Sequence, residues 1–500
     1  MRCILAVALL SPFFATAQLQ LAKIFSDNMI LQRNEPIHIW GRGVTGQKIT
    51  VSFANEKRIG VVNADSGWSV YLAKQQANSQ AQNIVVSDGF DKIELKNILI
   101  GDIWLCIGQS NMEFPMSQEM HYKEALQQSN QPLIRFYNPA FVGKNVFGKS
   151  FTDSMAALLT AKDFYRPTDW QTCDSTTFTT MTAVGYYYAK EIVKHENIPV
   201  GLIHLAIGGS PIETFISKDA LRKSKAFFNK LNGNWLINEA LPVWVRERGN
   251  QNIGTIQRVA ADEMGPNHGY KPGFAFVSGI EPILGLPIKG VIWYQGESNA
   301  QEIERVNEYA ALQKLMINDY RKQWNRPVMP FYWVQLSSID TASYKSQLWP
   351  VFRNEQRKLV AEIQNGGMAV CSDIGSRNNV HPTNKKAVGE RLARWALNKT
   401  YKKNIIPSGP LPLQAKYEKD KVVVYFQYCA GGLQTSDGKP IRGFSTDGVT
   451  DADAAIKGNE IHMIKRQKPQ YIYYGWKPFT DANLMNSESL PASTFKLKVQ

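Results

Sequence analysis

The stretch Gly101-Asp-Ile-Trp-Leu-Cys-Ile-Gly-Gln-Ser-Asn-Met112 constrains this chain more than any other. Residues 103–107 form an apolar run without polar alternation, which predicts a short strand buried on both faces. A Gly-Gln-Ser-Asn turn comes directly after it. Ser110 should therefore stand at the carboxyl end of a parallel strand, where open α/β sheets bind their ligands. Taken alone, Gly-x-Ser-Asn more often marks an ordinary turn whose serine bonds its own backbone. The downstream blocks decide between the two.

From residue 101 to 401 the pattern alternates strands with helices, as in an α/β layer fold. Strands are expected at 103–107, 133–137, 200–207, 290–294, 331–336 and 368–371. Helices are expected at 184–194, 306–324, 351–363 and 385–399. Tyr309, Leu312, Met316 and Tyr320 share one face of the second helix, and Val388, Leu392, Trp395 and Ala396 form the buried stripe of the last. Residues 212–280 show no strand pattern and read as a partly helical insertion above the sheet, a usual place for specificity elements. The flanks are β: runs at 37–40, 49–53, 68–72 and 83–86, separated by polar turns, predict a small sandwich-like region over 18–100. A second β region is expected over 402–500.

A chain of 500 residues with 44% hydrophobic and 20% charged residues fits a globular protein of several domains. Met1-Arg2, an apolar run over 3–14 and Ala15-Thr-Ala17 form the pattern of a secretory signal cleaved after Ala17, so a secreted or periplasmic protein is expected. No later stretch is long enough to span a bilayer. The formal charge of +14 favours anionic ligands. Its scattered lysines and arginines lack the basic stripe with interleaved aromatics that nucleic-acid binding calls for. Cys106 and Cys371 read as buried thiols, with a disulfide involving the remaining cysteines left open. No cysteine or histidine shows metal-ligand spacing, and neither metal nor organic cofactor is expected.

Three loops after candidate strands can converge on Ser110. Gly208-Gly209-Ser210 follows the third strand, and its glycines let the backbone present N–H groups to a developing oxyanion. Gln295-Gly-Glu-Ser-Asn299 follows the fourth, and the Gln295 or Asn299 amide can donate to an oxyanion without a charge to neutralise. Glu297 reads as an acid or base, or as a carboxylate fixing its loop. The third loop, Asp373 to Pro382, holds His381, a candidate general base for the weakly nucleophilic serine hydroxyl. His204 reads as a core residue and His268 as a candidate substrate contact.

The Gly-Gln-Ser-Asn-Met, Gly-Gly-Ser, Tyr-Gln-Gly-Glu-Ser-Asn and His-Pro blocks, in that order, resemble the sialate O-acetylesterase family within the SGNH hydrolases. The similarity runs from Asp27-Asn-Met-Ile-Leu-Gln32 to Ala482-Asn-Leu-Met-Asn486 and Leu490-Pro-Ala-Ser493. It implies a flavodoxin-like catalytic domain removing O-acetyl groups from sugars, with sialic acid as the favoured substrate. Ser110 matches the nucleophile, His381 the base, and Gly209 (or Gly208) with Gln295 the oxyanion donors beside the Ser110 N–H. The sequence departs from the pattern where an acid is expected just before the histidine: Asn378 and Asn379 stand there. Either Asp373 folds back to orient His381 or a Ser–His dyad works with a backbone carbonyl. Two other readings remain, an acetyl xylan or other polysaccharide esterase and an inactive sugar-binding homologue. The oligomeric state is not encoded in any pattern seen.

Overall fold

The computed structural model describes residues 18–500, and the export signal expected at 1–17 lies outside them. Its centre is a sheet containing β1 (Lys92–Gly108), β2 (Gln131–Tyr137), β3 (Gln171–Cys173), β4 (Val200–His204), β5 (Gly290–Tyr294), β6 (Phe331–Val334) and β7 (Gly366–Ala369). The spatial order is β3-β2-β4-β1-β5-β6-β7, parallel except for the antiparallel edge strand β3. Every residue of β4, β5, β6 and β7 is buried, as is the carboxyl half of β1. Unbroken burial on both faces explains why these strands are apolar runs rather than alternating ones.

The principal helices are α1 (Ser110–Glu113), α2 (Ala183–Glu196), α3 (Val243–Ile253), α4 (Ile303–Gln323), α5 (Trp349–Glu362) and α6 (Lys385–Lys399). Helix α2 packs on α6, and α4 packs on α5. Thr182 caps α2 by accepting from the Gly185 N–H, and Asn197 closes it in the left-handed conformation. The chain visits β2 at one flank, returns through β4 to lie beside β1, and then crosses to β5 on the other side of β1. The carboxyl end of β1 is therefore a topological switch point, flanked by the loops after β4 and β5.

The sequence places these elements well and their ends less so. Strand β4 stops at His204, although the Leu205 and Ile207 N–H groups still donate to the Cys106 and Gly108 carbonyls of β1 at 3.0 Å before the chain turns away. Strand β7 begins two residues early, at Gly366-Gly367, since glycine carries no strand propensity to read. In the segment 212–280 the structure adds one two-residue β pair, Ala261–Asp262 with Gly265–Pro266, beside α3 and shorter helical turns. β1 is much longer than the apolar run. Its first half pairs antiparallel with Asn78–Ser87, so one strand runs through the boundary expected near residue 100. The N-terminal strands share a single hydrophobic core with the central sheet, whereas most buried apolar residues beyond 411 form a separate cluster. That C-terminal region is held to α5 by the buried Arg353 guanidinium, which donates to the Gly475, Lys477 and Pro478 carbonyls at 3.1, 2.5 and 3.1 Å. The four described cysteines are buried and unpaired.

Candidate active site

Gly108 ends β1 at φ +134°, and a Cβ there would lie 2.1 Å from the Tyr294 carbonyl oxygen. Only glycine permits that approach. It lets the Gln109 N–H donate to the same carbonyl at 2.9 Å while the chain turns out of the sheet into α1. Ser110 opens this short helix and is partly exposed. Among the described residues, the Ser110 and Asn111 N–H groups have no protein acceptor, as expected in the first turn of a helix.

His381 reaches Ser110 from the loop after β7. Its Nε2 lies 2.8 Å from Ser110 Oγ, and its own N–H donates to Asn379 Oδ1 at 2.9 Å. Burial first, and the Lys385 charge second, pull the imidazole down from 6.5 to about 4. The ring is then neutral at neutral pH and able to take the serine proton. Among the described residues no acceptor lies in hydrogen-bond range of Nδ1. Asp373 does not fill that place: both its oxygens accept from Arg391 at 2.7 Å, on the outer side of the loop.

Beneath this pair lies a buried polar chain that the motifs did not reveal. Asn111 Nδ2 donates to the Val380 carbonyl at 3.0 Å, next to His381, and to Glu297 Oε1 at 2.5 Å. Lys385 Nζ donates to Asn111 Oδ1 and sits over the Phe114 and Tyr294 rings, 4.8 and 5.4 Å from their centroids. Burial lowers the Lys385 amine to about 7, with Glu297 pulling it back up. Burial likewise raises the Glu297 carboxyl, whose Oε2 is left without a partner. Lys385 occupies the first position of α6, whose cap Asn384 accepts from the Ala387 N–H at 3.1 Å. The only sequence signal for this residue is a lysine one helical turn after the histidine.

The Gly208-Gly209-Ser210 turn and the loop from Gln295 to Asn299 meet Ser110 in different ways. A Cβ on Gly208 would lie 3.8 Å from Ser110 Cβ, whereas one on Gly209 would face the Tyr270 hydroxyl at 2.4 Å. Gly208 is thus the glycine against the serine. Its N–H faces the Glu113 carboxyl, which burial raises and which Lys144 opposes from 3.3 Å. Gln295, expected as an oxyanion donor, is fully buried below the loops. Its Nε2 already serves three acceptors: Asn299 Oδ1 at 2.8 Å, Gln109 Oε1 at 3.1 Å and the Ser210 carbonyl at 3.2 Å. With two protons for three acceptors, it has no donor left for an oxyanion. The Asn299 amide is also engaged, its Nδ2 donating to Glu213 Oε2 at 3.0 Å. Gln109 is the hub that sequence reasoning missed. Its Oε1 also accepts the Gly296 and Ser298 N–H groups at 3.3 Å, clamping the Ser110 turn to the loop from Gln295 to Asn299. His268 is buried, lowered by that burial to about 3, and its ring accepts the Tyr270 N–H at 3.1 Å. His204 ends β4 with its Nδ1 2.7 Å from Asn138 Oδ1.

Comparison with known proteins decides what this serine site belongs to. Residues 275–398, spanning β5 through His381 but not Ser110, match the family model described as carbohydrate esterase, sialic acid-specific acetylesterase. The rat sialate O-acetylesterase is 27% identical over 424 residues, covering 78% of this chain and 75% of that one. The human sialate O-acetylesterase is 26% identical over 420 residues, covering 78% and 73%. A crystal structure of a carbohydrate acetylesterase from Xanthomonas citri superposes with a TM-score of 0.78 at 27% identity, over 96% of this chain and 99% of that one. The chain is thus similar to sialate O-acetylesterases over most of its length, and residues 275–398 carry the sialic acid-specific acetylesterase match. It is an esterase. The mixed α/β architecture shared with that crystal structure extends over nearly the whole length of the chain, flanking β regions included. No helix among the described residues is long and apolar enough to cross a membrane.

Proposed function

We propose that this protein is an exported serine esterase that removes O-acetyl groups from sialic acid, using an SGNH-type, flavodoxin-like catalytic unit over 101–401 with β regions at 18–100 and 402–500. The observation that carries the reading is the 2.8 Å contact between Ser110 Oγ and His381 Nε2 at the switch point of the sheet. Ser110 Oγ attacks the acetyl carbonyl as its proton passes to His381 Nε2. The tetrahedral oxyanion is held by N–H groups at the start of α1 and by the Gly209 N–H. His381 returns the proton to the sugar oxygen as that C–O bond breaks, leaving acetyl-Ser110. Water then gives a proton to His381 and attacks the acetyl carbon. The bond to Ser110 Oγ breaks, the serine regains its proton and acetate leaves.

His381 works here without a carboxylate on Nδ1, as a dyad. Its loop is fixed by Asn379 on its own N–H and by Asn111 on the neighbouring carbonyl. The names of the relatives support sialic acid as the sugar. The deciding experiment offers the mature protein O-acetylated sialic acid and acetylated xylan side by side, with Ser110→Ala as control. Acetate released preferentially from the sialic acid is expected, with kcat lower by about 10³-fold or more in the variant at unchanged circular dichroism. Full activity in folded Ser110→Ala would remove the serine from the mechanism, and release from xylan alone would overturn the substrate.

A further inference from the structure

Helix α3, in the segment between β4 and β5, carries Trp244 and Arg248 one turn apart and so on one face. The Arg248 guanidinium lies over the Trp244 ring, 4.5 Å from its centroid, and beside the Phe147 ring at 5.9 Å. Its Nε and Nη1 are shut off from water yet have no hydrogen-bond partner. Among the described residues no carboxylate lies within ion-pair distance of it. Other cations near Ser110 are already engaged: Lys144 pairs with Glu113, and Lys385 is buried against Asn111. A guanidinium with unpaired donors between two aromatic rings is an unusual thing to maintain, because buried donors are almost always satisfied.

The place of Arg248 connects it to the chemistry. Phe147 is left 52% exposed, and its ring end lies 3.7 Å from where a Gly208 Cβ would stand, the position that is 3.8 Å from Ser110 Cβ. Two tyrosine phenols register the same proximity. Burial raises both Tyr270 and Tyr344, and Arg248 opposes the rise in each. The site's own carboxylates, Glu113 for Tyr270 and Glu297 for Tyr344, act in the other direction. Gly208 thus stands between Ser110 and Phe147, and Phe147 between Gly208 and Arg248.

We propose that Arg248, held between Trp244 and Phe147, binds the carboxylate of an acidic sugar whose acetyl ester is presented to Ser110. The proposal rests on the sialate reading above and names the group that would enforce it. Nη2, the guanidinium nitrogen not shut off from water, is the donor a carboxylate can reach through a charge-assisted hydrogen bond, and the exposed Phe147 ring offers an apolar face to the sugar. A neutral xylan ester has nothing to place on the guanidinium.

The test compares kcat/KM for O-acetylated sialic acid with that for its C1 methyl ester, which keeps the acetyl group and removes the negative charge. Wild type is expected to prefer the free acid by about 10- to 100-fold, the range of a charge-assisted hydrogen bond. In Arg248→Met the ratio should fall to about 1, and in Arg248→Lys it should be intermediate, because charge remains but the planar stacking on Trp244 is lost. The ratio does not depend on how much of a variant is folded. A wild-type ratio near 1, or an undiminished ratio in Arg248→Met, overturns the carboxylate subsite while sialate hydrolysis stands. Acetate release from xylan and none from either sialic acid form overturns the substrate reading, and the subsite with it.

Discussion

The pH dependence of the reaction tests the electrostatics around His381 directly. Burial and the Lys385 charge hold the imidazole at about 4, against 6.5 for an ordinary histidine. Both act in the same direction: burial disfavours the charged ring, and a neighbouring cation repels the added proton. The base is active when neutral, so the acid limb of kcat/KM should follow its titration in the free enzyme. At about pH 5.5 a group titrating near 4 is roughly 97% neutral, whereas one at 6.5 is only about 9% neutral. The two cases differ by about tenfold in kcat/KM at that pH. Acetate release measured at low substrate between pH 4 and 8 should therefore stay level down to about pH 5 and fall below it. Lys385→Met removes the cation and leaves the burial, so its acid limb should move up, toward the ordinary histidine value without reaching it. A wild-type limb centred near 6.5 would refute the account of the site. An unmoved limb in folded Lys385→Met would refute the role of the lysine.

Two further variants separate structure from chemistry. Gln295→Leu strips donors from Asn299, Gln109 and the Ser210 carbonyl, each worth about 1–3 kcal/mol if left buried and unpaired. A stability loss of about 3–5 kcal/mol in urea unfolding is expected. Unchanged stability with kcat down by about 10²-fold would instead restore the amide as an oxyanion donor. Asp373→Asn breaks a partly exposed ion pair with Arg391 and should cost about 1 kcal/mol or less, with little change in kcat. A fall of about 10⁴-fold would make it the acid that orients His381.

The layer architecture and the order of its parts were legible in the chain alone. Apolar runs report burial on both faces, and the runs at β1, β4, β5 and β6 were all readable for that reason. The helices were legible as well, α6 to both its end residues, because a 3.6-residue stripe is a local property. Ser110 and His381 were legible as types: a serine at a strand end and a histidine in a late loop. Their meeting was not, since 271 residues separate them and only the packing of α6 on α2 brings the histidine loop over β1.

Polar side chains inside the site were the least legible. A glutamine after a strand looks the same whether its amide faces a substrate or a neighbouring loop. Burial and a full set of partners turn Gln295 into a fastener and make Gln109 its acceptor. Lys385 has no motif, and it matters because the fold excludes water from it and sets it against Asn111 and two aromatic rings. Arg248 reads in sequence as one more surface cation of a basic chain. The folded arrangement is what leaves its donors unpaired between Trp244 and Phe147, because a charge is distinguished by the partners that the fold denies it.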